Sequence, residues 1–436
     1  MSKKIIGIRR EDKNRWERRV PFTPEDMQQL QQSYDCEFLV QTSPTRIFPD
    51  EEFSRRGITV AEDISAADIV FAVKEIPKEL IAPGKVYIFF SHTVKGQAYN
   101  MPLLQKVLDT KVTLIDYERI VDEYNRRLVF FGAHAGYAGM IDSLHLLGQR
   151  HAAQGHQCKF GQVKMSYQYD SLTEAREEIA KVGELIKTVG FPEQKHPLVF
   201  GFAGYGNVSL GAQSILDILP TEEIPPEELI DFYRSGEFDH NKIYKCIFKE
   251  EHLVERKDGG EFDLQRYYNH PEEFESRFSQ YLPALTVLIN AIYWTEQYPR
   301  LITKAQLKQG YSDGSLRTLE VIGDISIDID GAIECTYKAT EPDMPAYVYE
   351  PLTDTFHDGV AGDGPVVLAV DNLPCEISRE ASESFSFALK PFIGEILDTD
   401  WEQPFKDLVA PLPIKKAIIA HQGKLTPDYE YIQEYL

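Results

Sequence analysis

The sequence predicts an α/β protein of two parallel-sheet domains, and three observations carry that reading. Short apolar runs of strand length alternate with helical runs from the N-terminus as far as "VTLIDYE". A long helical stretch interrupts the alternation, and a second strand–helix series opens at "PLVFGFAGYGNVSLGAQSILDIL". The chain, 436 residues with 43% hydrophobic content, is long enough for two or three domains.

Taken in order, "KKIIGIRRE" reads as a strand. "TPEDMQQLQQSY" reads as a helix with Thr23 as N-cap and Pro24 at the first helical position, where its missing N–H is no loss. "CEFLVQT" is a strand and "PDEEFSRRG" a helix closed by Gly57. "DIVFAVKE", "KVYIFFS" and "VTLIDYE" are further strands, with a helix over "AYNMPLLQKVLDT". "GYAGMIDSLHLLGQRHAAQG" and "SLTEAREEIAKVGELIKTVG" are helical, the second with Ser171 and Glu174 in capping-box spacing. Later strands are "ALTVLINAIY", "RTLEVIGDIS" and "VVLAVDNLP", and "SREASESFSFALKPFIGEIL" is a closing helix. The stretch 221–280 is Glu-rich, Tyr-rich and poorly periodic, and reads as an insertion on the second domain.

Composition excludes several classes. A formal net charge of −23 repels nucleic acid and anionic membranes, so neither is expected as a partner. Five scattered cysteines, odd in number and without a CxxC, argue against a disulfide framework or zinc site and fit a reducing cytoplasm. The opening "MSKKIIGIRRED" is not a secretory signal, and no apolar run approaches membrane-spanning length. His134, His145, His151 and His156 lack metal-ligand spacing, so no metal is expected, and no serine sits in a nucleophile-elbow context.

Two features point to chemistry. "VFGFAGYGNVSLGAQ" places Gly204, Gly206 and Ser209 between an apolar strand and a helix, the context of a dinucleotide fingerprint. Gly204 makes the tight turn, and Gly206 lets the backbone approach a pyrophosphate on the helix N-terminus. An ordinary βα turn would also use these glycines. The residue choosing between NAD and NADP is expected after the next strand, "TEEI", near Glu227 and Glu228, and the choice stays open. The second feature is a pair of strand ends. "DIVFAV" ends in Lys74 and "VYIFF" leads to Ser91 and His92, so two adjacent strands would deliver protonatable nitrogens to one crevice. The bland alternative pairs Lys74 with a nearby carboxylate and makes His92 a helix cap. Arg18 and Arg19 precede a helix, and Glu118 and Arg127 lie near another strand end, where an ion pair is more often structural than catalytic.

With these pieces in place, the chain resembles the lysine–2-oxoglutarate reductase part of the aminoadipic semialdehyde synthase family. The stretches that carry the resemblance include "IRREDKNRWERRVPFTP", "FAVKEIP", "YIFFSHTVKGQAYNMPLLQ", "NRRLVFFG", "GNVSLGAQ", "LINAIYW", "GAIECT", "AVDNLP" and "PDYEYIQEYL", from the first strand to the last residue. It is similar, more widely, to lysine-forming saccharopine dehydrogenase and alanine dehydrogenase.

The resemblance implies two Rossmann-like domains, with residues 1–140 plus 378–436 forming a catalytic domain, 141–377 the dinucleotide-binding domain, and the active site in the interdomain cleft. It implies Lys74 and His92 as the acid/base pair, and Arg19, Glu118 and Arg127 as substrate-binding residues. Asn207, Val208, Asn290, Asp324 and Asn372 would join Gly204 and Gly206 at the cofactor, NADP(H) in preference to NAD(H). The implied reaction is reductive condensation of L-lysine with 2-oxoglutarate to saccharopine, or its reverse. An alanine-dehydrogenase-like or other opine-type amino-acid dehydrogenase is the competing enzyme, and a non-catalytic nucleotide-binding protein the competing class. The chain stops where a saccharopine-oxidising half would begin, so it reads as a stand-alone reductase beside a separate saccharopine-oxidising enzyme, with homo-oligomerisation open.

Overall fold

A computed structural model describes residues 3–436. The chain divides into two compact units, Met1–Phe131 with Ser378–Leu436, and Gly132–Ile377. In chain order the strands are β1 Lys4–Ile8, β2 Cys36–Gln41, β3 Thr59–Ala61, β4 Ile69–Phe71, β5 Val86–Phe89, β6 Thr113–Asp116, β7 Val199–Ala203, β8 Thr221–Glu223, β9 Ile243–Phe248, β10 Val254–Arg256, β11 Phe274–Ser276, β12 Val287–Asn290, β13 Val321–Asp324, β14 Ala346–Glu350, β15 Thr355–Asp358, β16 Val366–Leu368, β17 Ile418–His421 and β18 Lys424–Leu425. The α-helices used below are α1 Pro24–Ser33, α2 Asp50–Ser54, α3 Met101–Asp109, α4 Gly132–Ala153, α5 Leu172–Val189, α6 Asn207–Leu216, α7 Pro226–Ser235, α8 Glu250–Leu253, α9 Leu264–Asn269, α10 Lys304–Asp313 and α11 Ser378–Leu389.

The first unit is one sheet in the order β18-β17-β6-β5-β4-β1-β2-β3. Strands β1 to β6 are mutually parallel, and the central β4 and β5 are apolar and buried on both faces, as a sheet covered by helices requires. Helix α1 starts as expected: Thr23 Oγ1 accepts from the Asp26 N–H at 3.1 Å, and Met27 and Leu30 face inward. Phe22 seats its edge on Phe38 and Phe71 at 5.9 and 5.2 Å, a burial that contributes about 2 kcal/mol.

The second unit has its own eight-stranded sheet, β15-β14-β16-β13-β12-β7-β9-β8. Helix α5 is capped as its spacing predicts, Ser171 Oγ accepting from the Glu174 N–H at 3.1 Å. The Glu174 carboxylate, however, reaches the N–H of Asp170 at 2.7 Å, one residue before the cap. Close glycine packing holds α6 on α4. A Cβ on Gly136 would lie 2.0 Å from the Val208 carbonyl, and one on Gly211 would lie 2.3 Å from that of Ala133. The sheet is thus backed by a helix pair whose N-terminal turns cannot slide. Among the described residues no helix is long and apolar enough to cross a membrane.

Four expectations need correction. Neither sheet is wholly parallel: β17 and β18 run antiparallel at one edge of the first, and β14 and β15 at one edge of the second. "SREASESFSFALKPFIGEIL" does not close the fold, because the β17–β18 hairpin follows it. That hairpin turns through Gln422 and Gly423, both at positive φ (50° and 81°), the two-residue turn of a right-twisted ribbon. Gln is a weak signal for that turn, which hid it. Nor is 221–280 all insertion. β8 and β9 belong to the main sheet, and the excursion is the α8 to β11 part, where β10 and β11 pair with each other. "IYKCIF" was opaque because β9 is buried on both faces and lacks alternation; its Lys245 is almost buried and pairs with Asp217 at 2.8 Å. The sequence-based boundary near residue 140 falls inside α4, which belongs entirely to the second unit.

Candidate active site

In the first unit, β4, β5 and β6 lie side by side and parallel, so their carboxyl ends share one edge. The ladder between β4 and β5 continues past the strands: the Ala72 N–H donates to Ile88 O and the Phe90 N–H to Val73 O, both at 3.1 Å. Lys74 and His92 therefore emerge at neighbouring strand ends, as expected. Glu118 follows β6 on the same edge.

The residue that fixes Lys74 is one that sequence reasoning passed over. The Glu11 carboxylate accepts the backbone N–H groups of Val73 (2.6 Å) and Lys74 (3.0 Å), occupying the end of β4. Burial, helped by the nearby Glu17 charge, pushes its pKa up to about 7. The Lys74 ammonium makes no hydrogen bond or ion pair with any described residue. Burial first, then the Arg19 charge, lowers its pKa. The alternative in which Lys74 pairs with a carboxylate is not realised: its neighbour Glu75 turns to His92 instead.

His92 Nδ1 lies 2.6 Å from Glu75 Oε1. Burial would raise Glu75, but the hydrogen bond and charge of His92, with Lys13 at 3.2 Å, outweigh it and hold the carboxyl at about 2. An ionised carboxylate only accepts, so Nδ1 carries the proton and Nε2 is left to exchange one. The ring stacks on Phe90, and its backbone sits in the left-handed region at φ +50°, which costs a non-glycine residue about 1 kcal/mol. The Asn100 amide, donating to the His92 carbonyl at 3.1 Å, helps to hold that conformation. Beside Glu75 opens a cavity of about 550 Å³ lined by Lys13, Lys78, Tyr99 and Asn100.

Asp116, the last residue of β6, ties the next strand end in. It is fully buried, accepts from the Ser91 N–H at 3.0 Å and from the Ser91 hydroxyl, and accepts from the Glu118 N–H at 2.8 Å. Glu118 pairs with Arg127, whose side chain is half exposed. Arg19 is buried, and Glu17 takes its Nε and Nη2 at 2.8 and 2.5 Å. Its guanidinium lies 4.2 Å over the Phe131 ring, which stacks on Phe385 of α11. Both expected substrate-binding arginines thus carry a carboxylate partner in this structure.

In the second unit the expected cofactor residues also follow one sheet edge. Ala203 of β7, Asn290 of β12 and Asp324 of β13 are register partners, and Asn372 follows β16, the next strand. Gly204 has φ +97°, and a Cβ there would lie 2.9 Å from the Ala291 carbonyl, so the turn demands glycine. Gly206 is the N-cap of α6 and has no side-chain cap; a Cβ on it would meet nothing within 4 Å. Exposed Gly206 and Asn207, with half-buried Val208, leave the first N–H groups of α6 facing open space. That cradle fits a pyrophosphate. Ser209, in place of the third glycine, is fully buried and bonds Gln213 at 2.9 Å; the close-packing glycines are Gly136 and Gly211. Deeper in, Asn290 Nδ2 donates to Asp324 Oδ1 at 2.8 Å and the Thr336 hydroxyl to Oδ2 at 2.6 Å, while burial raises Asp324 to about 6.

The chain matches the family model "Alanine dehydrogenase/PNT, N-terminal domain" over residues 7–138 and "Alanine dehydrogenase/PNT, C-terminal domain" over 272–428. It is 38% identical to alpha-aminoadipic semialdehyde synthase of Arabidopsis thaliana, over 98% of this chain but 41% of that protein. It therefore spans less than half the length of that relative. It is 27% identical to saccharopine dehydrogenase [NAD(+), L-lysine-forming] of Neurospora crassa, over 95% of this chain and 98% of that one. Among solved structures, L-alanine dehydrogenase superposes with a TM-score of 0.62 at 15% identity, covering 99% of this chain and all of that one, a likeness of fold.

Proposed function

We propose that this chain, which belongs to the alanine dehydrogenase/PNT family, is an oxidoreductase that condenses L-lysine with 2-oxoglutarate and reduces the product to saccharopine, or runs the reverse. A nicotinamide cofactor, NADP(H) in preference to NAD(H), would lie on Gly204, Gly206, Asn207 and Val208, with Asn290, Asp324 and Asn372 along the same sheet edge; when bound, it supplies the hydride. The observation that carries the proposal is the half-buried Lys74 ammonium, without a hydrogen-bond or ion-pair partner among the described residues, one strand away from an imidazole oriented by Glu75.

The reaction needs two kinds of proton transfer. The lysine ε-amine must lose protons to attack the ketone, and the resulting carbinolamine must gain one on its hydroxyl to leave as water. Lys74, lowered by burial and by Arg19, suits the first and returns a proton to the amine nitrogen once the imine carbon has been reduced. His92, protonated at Nε2, gives its proton to the departing hydroxyl while Glu75 stabilises the cation. Saccharopine carries three carboxylates. Arg127 exchanges Glu118 for one of them, and Arg19 adds its positive charge to the same strand-end region. The free, scattered cysteines fit the cytoplasm as its compartment.

The test is absorbance at the reduced nicotinamide band with lysine, 2-oxoglutarate and each reduced cofactor. Lysine-dependent oxidation supports the reading. Turnover only with other amine and oxoacid pairs would replace it with an opine-type dehydrogenase, and no turnover with any pair would replace it with a nucleotide-binding protein.

A further inference from the structure

We infer that Lys249 receives the 2′-phosphate of the cofactor's adenosine half and so sets the preference for NADPH over NADH; the inference rests on the nicotinamide-dependent reading above. In a parallel sheet whose first strand ends in a glycine turn, the selecting side chain stands at the carboxyl end of the strand beside it. Chain order nominates β8 and hence Glu227 and Glu228. Sheet order does not: β9 lies beside β7, and β8 is one strand further out, about 5 Å more distant from the turn. The Gly204 N–H donates to the Phe248 carbonyl at 3.0 Å, which sets Lys249 level with the glycine turn.

The charges at that edge sort the same way. Glu250 already accepts from the hydroxyls of Tyr268 (2.8 Å) and Tyr205 (3.5 Å), so its Oε1 is taken before any ribose hydroxyl arrives. Glu227 is engaged by His252 Nε2 at 3.0 Å, and Glu251, exposed beside it, lies 3.9 Å from the same nitrogen. The Lys249 ammonium is exposed and makes no hydrogen bond or ion pair with any described residue, while its backbone N–H is anchored on His252 Nδ1 at 3.0 Å. A fixed backbone with an unpaired three-donor cation suits a phosphate dianion.

The experiment is fluorescence titration of the full chain, without lysine or 2-oxoglutarate, with NADPH, NADH and adenosine 2′,5′-bisphosphate. Wild type should bind NADPH the more tightly and should bind the bisphosphate. Lys249→Glu should weaken both by at least about tenfold and leave NADH within about twofold, the scale of one charge-assisted hydrogen bond. Glu227→Gln should not move the ratio. A wild-type preference for NADH, an unchanged ratio in Lys249→Glu, or a ratio moved by Glu227→Gln instead would overturn the assignment while leaving the cofactor-dependent reading in place. Binding of neither reduced cofactor would overturn both.

Discussion

The carboxyl edges of the two sheets are built from opposite materials. In the first unit the edge is crowded with ionisable side chains: Glu11, Glu17 with Arg19, Lys74, Glu75 with His92, and Glu118 with Arg127. In the second, the part beside the glycine turn is open space and one buried carboxylate, Asp324, held by Asn290 and Thr336. A parallel sheet delivers whatever follows its strands to one line. Side chains on that line can exchange protons in fixed geometry, whereas bare backbone on that line can bind an anion. The difference teaches which edge should respond to loss of a titrating group and which to gain of a methyl.

The largest expected effect is on the crowded edge. Lys74→Met and His92→Met keep bulk and remove the titrating nitrogen, and each should lower turnover by about 10²–10⁴-fold with cofactor affinity unchanged. Because the half-buried Lys74 ammonium has no ion pair among the described residues to lose, Lys74→Met should not lower Tm. Near-normal turnover per folded molecule in both variants would remove the proposed acid/base pair.

On the bare edge, Gly206→Val should cost about a hundredfold or more in cofactor affinity at unchanged Tm, since its side chain projects where nothing stands within 4 Å. Gly204→Ala should do the reverse and cost about 1–2 kcal/mol of stability, because φ is +97° and the Ala291 carbonyl is in the way. Calorimetry and cofactor titration on the pair separate the two roles. Equal loss of stability in both would make the loop an ordinary turn. A smaller effect, about tenfold in kcat with KM held, is expected of Glu75→Gln, which leaves the His92 ring in place without its carboxylate; unchanged kcat would make the pair structural.

Much of the first edge could be read from the sequence, because strand ends announce themselves. Apolar runs stopping at Lys74 and at Ser91–His92 need only the rule that parallel neighbours share an edge. The supports could not be read. Glu11 lies 62 residues from Val73, and nothing in "RRED" says that its carboxylate will reach another strand's N–H groups. The bonds of Asp116 to Ser91 depend on the β5–β6 register. In the second unit Gly204 and Gly206 were legible because turn and helix start impose residue types locally. The strand beside them was not, because β8 and α7 intervene in the chain and sheet order is a tertiary fact. Chain order therefore nominates Glu227, whereas sheet order points to the end of β9.

The smallest expected effect concerns stability and pH, in the second unit away from its bare edge. Burial, and then the charge of Asp142, push Glu376 well above the ordinary carboxylate range, and burial raises Asp142 to about 6 against the opposing pull of Ser166 and His145. A carboxyl with a raised folded pKa holds a proton that the unfolded chain releases. The folded state therefore binds more protons between the two pKa values, and stability falls as pH rises. For this pair the fall begins near the ordinary values of 4.5 and 3.8 and continues through 6 and beyond. Glu376→Gln keeps the shape, removes one titration and gives Asp142 a neutral neighbour. It should raise Tm at pH 8 by roughly 3 °C, about 1 kcal/mol, and change it little at pH 5, where Glu376 is protonated in the folded state anyway. Thermal unfolding of wild type and variant at both pH values is the check. An equal shift at pH 5 and pH 8 would mean that packing around residue 376, and not its ionisation, governs the difference.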